Sequence, residues 1–504
     1  MVWGRREPEP VPGPEAPQTS KGRKKLNLLK KKSPETVREQ SSINNFGLYK
    51  ATFCSNIGSF LFGIALGWSG SVQSSVIEQS FYDFQLSDTD WNLICLLLIL
   101  GAALWCVPAG FLVRYIGCRR TILLQLLPNT VGWFLTIFAK SVSMVYAGRF
   151  FLGMCGGAHC VAVPIYSAEI STIKKRGAMG VLFHGSCLFG VIYSFTMNLF
   201  LDVWIANLLN LGLVTLALLQ ILMPESPAYY VDRGNIPQAE ASLRYLRGKH
   251  YDTRRELDNL MLEPTPSEQD VRQGPMRGFK YKKVRRSLSR ALVLAVLQKL
   301  RGAMIFVFYT PSVLECLKMQ RCIGILLCVA VFIGFAICFL LVDRVGRRPL
   351  LIISSAINFF VSVFLGLYFQ IWLPMETVVL PWIALLCIGL FVGSYASGVG
   401  TLTWLLNVEL LVRNMRPVGC AIIAASNWTT AFVVILWFSS HTMSCQPYIF
   451  LLFAIIALII LLYTLVYIPE TMNLSSSKIQ QRLGGIMNSP NIVTITSSSD
   501  SSLA

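Results

Sequence analysis

The sequence predicts an all-α integral membrane protein whose twelve transmembrane helices form two six-helix halves. Three observations support this fold class. Of the 504 residues, 54% are hydrophobic and only 14% are charged, whereas a soluble domain carries about 25% charged residues. Long runs without Asp, Glu, Lys or Arg recur along the chain and can cross a bilayer. Polar landmarks of the first half also recur in the same order in the second half.

The N-terminal part of the chain is predicted to be a tail followed by six spans. Residues 1–48 are polar, rich in Pro and Lys, and have no early apolar core. They indicate a disordered cytoplasmic tail rather than a cleavable signal peptide. Residues 49–224 form the N-terminal half, in which each charge-free run predicts one span. Those runs are 51–77, 91–113, 121–139, 150–168, 177–201 and 203–224.

The C-terminal part is predicted to contain a loop, six more spans and a second tail. Residues 225–290 are rich in charge and indicate a cytoplasmic loop with short helices. The C-terminal half, residues 291–470, begins near Ala291 because its first span would otherwise be too short. Residues 471–504 are Ser-rich and indicate a disordered cytoplasmic tail. The charge-free runs of this half are 302–314, 322–342, 349–375, 377–408 and 417–469, the last long enough for two helices.

The basic residues predict the orientation of the chain in the membrane. With a cytoplasmic N-terminus and alternating spans, the inner segments hold 38 Lys and Arg residues. The outer segments hold only Lys140, Lys318 and Arg321. This bias follows the positive-inside rule, so we expect both termini in the cytoplasm. It also accounts for the net charge of +18 without a nucleic-acid partner.

An internal repeat relates the two halves. Each half has a turn with Gly and two Arg, a Glu followed seven residues later by Arg, and a Pro-Glu-Ser/Thr sequence. A duplicated six-helix unit with its site between the halves is typical of transporters. The first copy consists of Gly117-Cys118-Arg119-Arg120, Glu169, Arg176 and Pro224-Glu225-Ser226. The second consists of Gly346-Arg347-Arg348, Glu409, Arg416 and Pro469-Glu470-Thr471.

The charged landmarks predict a gate at the cytoplasmic ends of the helices. Opposite charges on packed helix ends can hold the inner side shut and separate when the halves rock. Solvated anchors with weak pairing are the alternative interpretation. The predicted gate residues are Arg119, Arg120, Glu169, Arg176, Asp343, Arg347, Arg348, Glu409 and Arg416.

Short motifs in both halves follow one known pattern. They are Gly148-Arg149, Pro164 to Glu169, Arg176-Gly177, Pro224 to Pro227, Asp343 to Arg348, Trp404, Glu409, Arg416, Asn427-Trp428 and Pro469 to Thr471. These segments resemble the sugar porter family of the major facilitator superfamily, over about residues 45–475, and lie nearest to the insect trehalose and hexose facilitators. The resemblance implies the major facilitator fold and facilitative sugar transport. The sequence contains no catalytic constellation, metal cluster or phosphate loop, so we expect no enzyme, cofactor or metal.

The sequence departs from the family pattern mainly where the resemblance places the sugar. Lys299 and His184 replace usual glutamines, and Met304 replaces a usual Asn. In the loop after the second span, Arg114-Tyr115 replaces an acid-plus-basic pair. A sugar is bound by neutral donors and acceptors, so these changes weaken the prediction of a sugar more than that of a transporter. The resemblance predicts substrate contacts at Gln298, Lys299, His184, Tyr309, Trp404 and Asn427.

Two cations inside the seventh span are unusual. A charge at mid-bilayer costs at least about 2.5 kcal/mol on insertion scales. Lys299 and Arg301 can snorkel towards water or pair with a helix end. Alternatively, Lys299 with His184 attracts an anionic solute such as a carboxylate. In a third interpretation the pocket has decayed and the protein is a non-transporting solute sensor.

These observations predict a uniporter. Proton-coupled family members carry an acid in the first helix, where this chain has Ala65, and residues 51–77 contain no Asp or Glu. We therefore expect facilitative transport of a hexose or trehalose-like sugar by alternating access. The open alternatives are an organic-anion carrier and a sensor. The expected partners are the small-molecule solute and the lipid bilayer, the expected functional unit is a monomer, and the expected location is the plasma membrane.

Overall fold

The computed structural model describes residues 43–73, 76, 81–262, 279, 281–372, 380–440 and 447–483. In that part of the chain, eleven helices are long and apolar enough to cross a membrane. A further span consists of two shorter helices separated only by Gln125. The predicted all-α fold with twelve spans is confirmed.

The spans are numbered here in chain order. The N-terminal half contains span 1 (Phe46–Ser71), span 2 (Asp88–Ile116), span 3 (Cys118–Leu124 with Leu126–Ile137), span 4 (Val142–Ile170), span 5 (Arg176–Phe200) and span 6 (Val203–Val214, continued by the 3-10 helix Thr215–Leu222). The C-terminal half contains span 7 (Lys282–Leu300 with Ala303–Cys316), span 8 (Gly324–Leu341), span 9 (Arg347–Leu367, continued by the π-helix Tyr368–Trp372), span 10 (Leu380–Ser397 with Val399–Glu409), span 11 (Arg416–Ser440) and span 12 (Pro447–Tyr467).

Helix packing repeats between the halves. In the N-terminal half, span 1 packs on span 5, span 2 on span 4, and span 3 on span 6. In the C-terminal half the same pairs recur six spans later, as 7 on 11, 8 on 10 and 9 on 12. The internal repeat of the sequence therefore corresponds to a repeat of the packing.

Two spans of the C-terminal half break at a glycine. Span 7 breaks at Gly302, whose φ of +77° is readily adopted by glycine. Span 10 breaks at Gly398, whose backbone is not helical and which precedes the helix Val399–Glu409. Broken spans are the usual way in which membrane carriers place backbone and side chains around a central site.

Several polar segments are helical, including the central loop, for which the sequence predicts short helices. Span 7 begins at Lys282 rather than near Ala291, because its basic first turns extend the helix beyond the apolar run. The central loop forms the helices Pro227–Asp232, Ile236–Arg247 and Arg254–Leu262. Within the predicted C-terminal tail, Ser476–Arg482 is helical. It packs on the C-terminal half, where Gln480 donates to the Leu410 carbonyl at 2.7 Å.

The predicted boundaries of the tails are only partly described. Span 1 begins at Phe46, within the segment predicted as the N-terminal tail. Residues 1–42 of that tail and residues 484–504 of the other lie outside the described residues.

Candidate functional site

A central cavity of about 110 Å³ lies between the two halves. It is lined by spans 1, 4 and 5 of the N-terminal half and by spans 7, 8, 10 and 11 of the C-terminal half. Its wall is mostly aliphatic and aromatic, as in most small-molecule sites. The lining side chains that carry nitrogen or oxygen are His184, Lys299, Thr310, Tyr395, Trp404 and Trp428.

Three residues predicted to contact substrate lie on this wall. They are Lys299 from span 7, His184 from span 5 and Trp404 from span 10. The Trp404 ring packs edge-on against Phe183, with 5.3 Å between the ring centroids. Because Phe183 belongs to the opposite half and also lines the cavity, this pair brings the two halves into contact at the cavity wall.

The other three predicted residues make hydrogen bonds within the protein. Gln298 donates to the Gly400 carbonyl at 2.7 Å and accepts from Asn427 at 2.8 Å. These bonds join spans 7, 10 and 11. The Tyr309 hydroxyl donates to Asn92 at 3.1 Å and connects span 7 to span 2 of the opposite half. In this conformation, Gln298, Asn427 and Tyr309 are not among the residues that line the cavity.

Lys299 is the charged group on the cavity wall. Its side chain is buried, and Nζ lies 4.2 Å from the centroid of the Trp428 ring. This geometry is that of a cation–π contact. His184 lies nearby on span 5, and its Nε2 has no hydrogen-bond partner among the described residues. None of the described lining residues is Asp or Glu.

Arg301 is a second buried cation beside the cavity. Its guanidinium carbon lies 4.8 Å from the ring centroid of Tyr395, which lines the cavity. None of its three nitrogens has a hydrogen-bond partner among the described residues. Arg149 shows the contrast, because it donates to the Ala65 carbonyl at 2.8 Å and to the Ser69 hydroxyl. Arg149 thus links span 4 to span 1, whereas the N–H donors of Arg301 form no hydrogen bond among the described residues.

The predicted gate residues of the C-terminal half form a cluster. Arg347 lies between two carboxylates, with Nη2 at 3.1 Å from Glu409 and Nη1 at 3.2 Å from Asp343. The Thr471 hydroxyl donates to Glu409 at 2.7 Å. Glu470 accepts from the backbone amide of Arg347 at 3.1 Å and thereby caps the first turn of span 9. The same carboxylate accepts from the Arg348 amide at 2.9 Å.

The N-terminal half repeats the capping arrangement. Glu225 accepts from the Arg119 amide at 3.1 Å, and the Ser226 hydroxyl donates to Glu169. Burial raises the pKa of the Glu225 carboxyl above its usual value, against hydrogen bonds that lower it. Gly117 and Gly346 have φ of +91° and +105°. A Cβ at either position would press on the capping carboxylate, so both copies of the turn require glycine.

The two copies differ in their charged residues. With the glycines aligned, Arg119 corresponds to Arg348, and the side chains donate to the Ile221 and Leu465 carbonyls at 2.8 and 2.6 Å. The two Arg pairs of the sequence are therefore offset by one residue. Cys118 stands where the second half has Arg347, and Arg114 stands where it has Asp343. The second half thus has an Asp–Arg–Glu cluster whose first two members are replaced in the first half.

Asp343 also connects the two halves. Its Oδ2 accepts from the backbone amide of Ala178 at 2.8 Å, in the first turn of span 5. A carboxylate at a helix N-terminus satisfies an open amide and interacts favourably with the helix dipole. Gly177 lies so close to Asp343 that a Cβ there would overlap the carboxylate. Asp343 therefore caps, from the C-terminal half, a helix of the N-terminal half.

The remaining predicted gate residues have separate environments. Arg416 donates to the Val408 carbonyl at 3.3 Å and to Ser476 at 3.0 Å, both within the C-terminal half. Arg176 begins span 5 and is half-buried, whereas Arg120 is exposed. The role of the whole set as a gate remains a prediction.

Sequence reasoning missed three contributors to these contacts. Tyr395 lies in a charge-free run without a motif, so nothing in its local sequence points to the cavity. Trp428 belongs to the Asn427-Trp428 motif, and this motif is the sequence signal that could have identified it as a cavity residue. Arg413 bonds to Asp232 at 2.9 Å and to the Leu260 carbonyl at 2.9 Å, in helices of the central loop. Its signal was a cation close to the Glu409 and Arg416 landmarks.

Two pseudo-equivalent helical halves around a central cavity define the class of protein, a membrane carrier that works between two faces of a bilayer. The chain belongs to the sugar (and other) transporter family, whose profile matches residues 51–483. This confirms the membership predicted from the motifs. The protein is a multi-pass membrane transporter and not an enzyme.

Individual relatives agree with this membership. The chain is 62% identical over 506 residues to glucose transporter type 3 of Drosophila melanogaster, covering 99% of both chains. It is 30% identical over 445 residues to the facilitated trehalose transporter Tret1 of Bombyx mori, covering 86% of both. The fold is similar to that of the proton:xylose symporter XylE bound to 6-bromo-6-deoxy-D-glucose, with a TM-score of 0.71 at 18% identity. That alignment covers 86% of this chain and 98% of XylE.

Proposed function

We propose that this protein is a facilitative transporter that carries a hexose or a trehalose-like sugar by alternating access. The observation that carries the proposal is the central cavity, which lies between the two halves. The halves contact each other at both ends of this cavity. Asp343 joins the halves towards the cytoplasmic landmarks, and the Tyr309–Asn92 bond joins them at the other end. The names of the relatives, glucose and facilitated trehalose transporters, support a sugar as cargo.

Uniport is the proposed mode of transport. Span 1 has Ala65 at the position of the acid and contains no Asp or Glu between Phe46 and Ser71. The described lining residues likewise include no carboxylic acid. A proton carrier at mid-membrane needs a titratable group that faces the pathway. These observations favour movement of the solute down its own gradient.

The proposed substrate contacts fall into two groups. Lys299, His184 and Trp404 meet the solute directly in the closed cavity. Gln298 and Asn427 become available when the second helix of span 10 moves, because Gln298 is held by the Gly400 carbonyl of that helix. Tyr309, which also belongs to this group, becomes available when its bond to Asn92 opens. The charged residues at the cytoplasmic helix ends act as the gate. The protein acts as a monomer in the plasma membrane, with both termini in the cytoplasm.

Uptake into proteoliposomes tests the proposed function. We expect saturable uptake of labelled D-glucose or trehalose that is unchanged when a pH gradient is imposed. Liposomes without protein are the control for leakage. Uptake that depends on the gradient would exclude uniport. Absence of sugar flux from a correctly folded preparation would exclude sugar transport.

A further inference from the structure

The cavity wall carries a positive charge without a negative one. Lys299 is 4% exposed, and its Nζ rests on the Trp428 ring. Removing a cation from water is costly unless an anion or several acceptors replace the water. A cation–π contact supplies only part of that compensation.

The neighbouring spans supply neutral groups around Lys299. Span 4 contributes Cys160, span 5 contributes His184 and Cys187, and span 11 contributes Trp428. The Cys160 sulfur is already an acceptor for the Trp428 indole at 3.3 Å. The described part of the wall holds no carboxylate. Lys299 therefore lacks an acidic counter-ion on this wall.

Arg301 adds a second positive charge one residue away from the break in span 7. It is fully buried, and its three nitrogens lack hydrogen-bond partners within the described residues. It contacts Tyr395, which lines the cavity. Two cations without an acidic partner among the described residues, in a low-dielectric region, create a positive potential that favours an anion in the cavity.

We propose that the cavity contains an anion subsite centred on Lys299 Nζ and that the preferred cargo is a monosaccharide bearing a carboxylate. This inference rests on the proposed function, because family membership indicates a sugar as cargo and the two cations indicate that this sugar is negatively charged. The carboxylate of the cargo lies against Lys299, and His184 Nε2 is placed to share it. Trp404 and Trp428, which also line the cavity, supply aromatic surface against the sugar ring.

The test compares D-glucuronate with D-glucose, which differ at one carbon. Binding to the purified full-length protein in detergent is measured by calorimetry, and flux is measured in proteoliposomes. The variants are Lys299→Gln, which removes the charge, and Lys299→Arg, which keeps it. Lys140→Gln is the matched control because Lys140 is exposed and lies outside the cavity.

We expect the wild-type protein to bind D-glucuronate at least about tenfold more tightly than D-glucose, a difference of about 1.4 kcal/mol. Lys299→Gln should abolish this preference, because it should weaken the binding of glucuronate far more than the binding of glucose. Lys299→Arg and Lys140→Gln should retain it. A structural role of Lys299 would instead change the binding of both sugars together.

Three results would overturn the inference or separate it from the proposed function. Tighter binding of glucose than of glucuronate by the wild-type protein overturns the subsite even if Lys299→Gln does not fold. An unchanged preference in folded Lys299→Gln overturns the role of Lys299 and leaves sugar transport standing. Preferential binding of glucuronate without flux of either sugar supports the subsite and overturns the transport function.

Discussion

At the scale of single residues, the cavity depends on which side of a helix each polar group faces. Lys299 and Gln298 are adjacent in sequence, yet the lysine lines the cavity and the amide bonds to spans 10 and 11. A rotation of about 100° separates neighbours on a helix, so one turns towards the solute pathway and the other into packed protein. Whether a polar side chain lines the cavity therefore depends on the direction in which the surrounding spans orient it, as well as on its chemistry.

The glycine that precedes span 9 allows a test at this scale. Gly346→Ala places a Cβ 2.6 Å from the Glu470 carboxylate at a φ of +105°. The unfolding midpoint should fall, because the variant combines left-handed strain with loss of a cap worth about 1 kcal/mol. Thermal unfolding in detergent, followed by size-exclusion fluorescence, measures the change.

Gly234→Ala is the matched control for the strain alone. Gly234 has a φ of +70°, but a Cβ there meets no atom within 4 Å. Its unfolding midpoint should fall less than that of Gly346→Ala. Equal losses in the two variants would show that contact with the carboxylate contributes nothing.

At the scale of elements, a loop of the C-terminal half contacts the other half on the side predicted to be cytoplasmic. The loop between spans 8 and 9 places Asp343 at the first turn of span 5, and Arg347, which also pairs with Glu409, holds that carboxylate in position. The corresponding loop between spans 2 and 3 has Arg114 instead. A cation is disfavoured at a helix N-terminus, so this loop cannot make the equivalent contact with span 11. The duplicated elements are alike in fold and unlike in charge.

Replacing Asp343 and Arg114, each in its own variant, measures the difference between the two loops. Asp343→Ala should favour the inward-open state by about 1 kcal/mol, roughly a fivefold shift in population, because span 5 loses its cap from the other half. Cys160 and Cys187 line the cavity, so their labelling from the cytoplasmic side, mapped by mass spectrometry, reports the opening. Arg114→Ala is the pseudo-equivalent control and should leave labelling unchanged. Equal labelling of both variants would contradict an asymmetric closure.

At the scale of the whole molecule, contacts between the halves at the two ends of the cavity oppose each other. Asp343 acts at one end, and the Tyr309–Asn92 hydrogen bond acts at the other. Alternating access requires that each set breaks while the other holds. We therefore expect the balance between them to set which face of the cavity opens, and small changes at either end to shift the populations.

Tyr309→Phe tests the outer contact. Loss of the bond to Asn92 costs about 1 kcal/mol, so labelling of Cys160 and Cys187 by an impermeant reagent should rise from the outer side. The direction is opposite to that expected for Asp343→Ala. Tyr146→Phe removes a hydroxyl that bonds to Asp90 at 2.6 Å within one half. It should not alter labelling, and a rise equal to that of Tyr309→Phe would refute the outer contact as a closing element.

The sequence predicted the number of spans because charge-free runs report directly on burial in lipid. It did not predict the break of span 3 at Gln125 or the helix Ser476–Arg482, which depend on tertiary contacts such as Gln480 with Leu410. The motifs indicated Asp343 and Arg347 but not that Asp343 caps span 5. The sequence shows which residues of a motif are charged. The group that each of them contacts across the interface depends on how the two halves pack together.

The replacement of Asp343 and Arg347 by Arg114 and Cys118 in the other copy has a consequence for the evolution of transport rate. Because only the copy in the C-terminal half carries the acid that caps a helix of the other half, we expect the barrier to inward opening to be sensitive to substitutions around that loop. Such substitutions lie away from the cavity and can alter turnover while affinity for the solute stays constant. We therefore expect substitutions around Asp343 to be an evolutionary route to changes in transport rate. The loop between spans 2 and 3, which has Arg114 instead of the acid, does not have this effect.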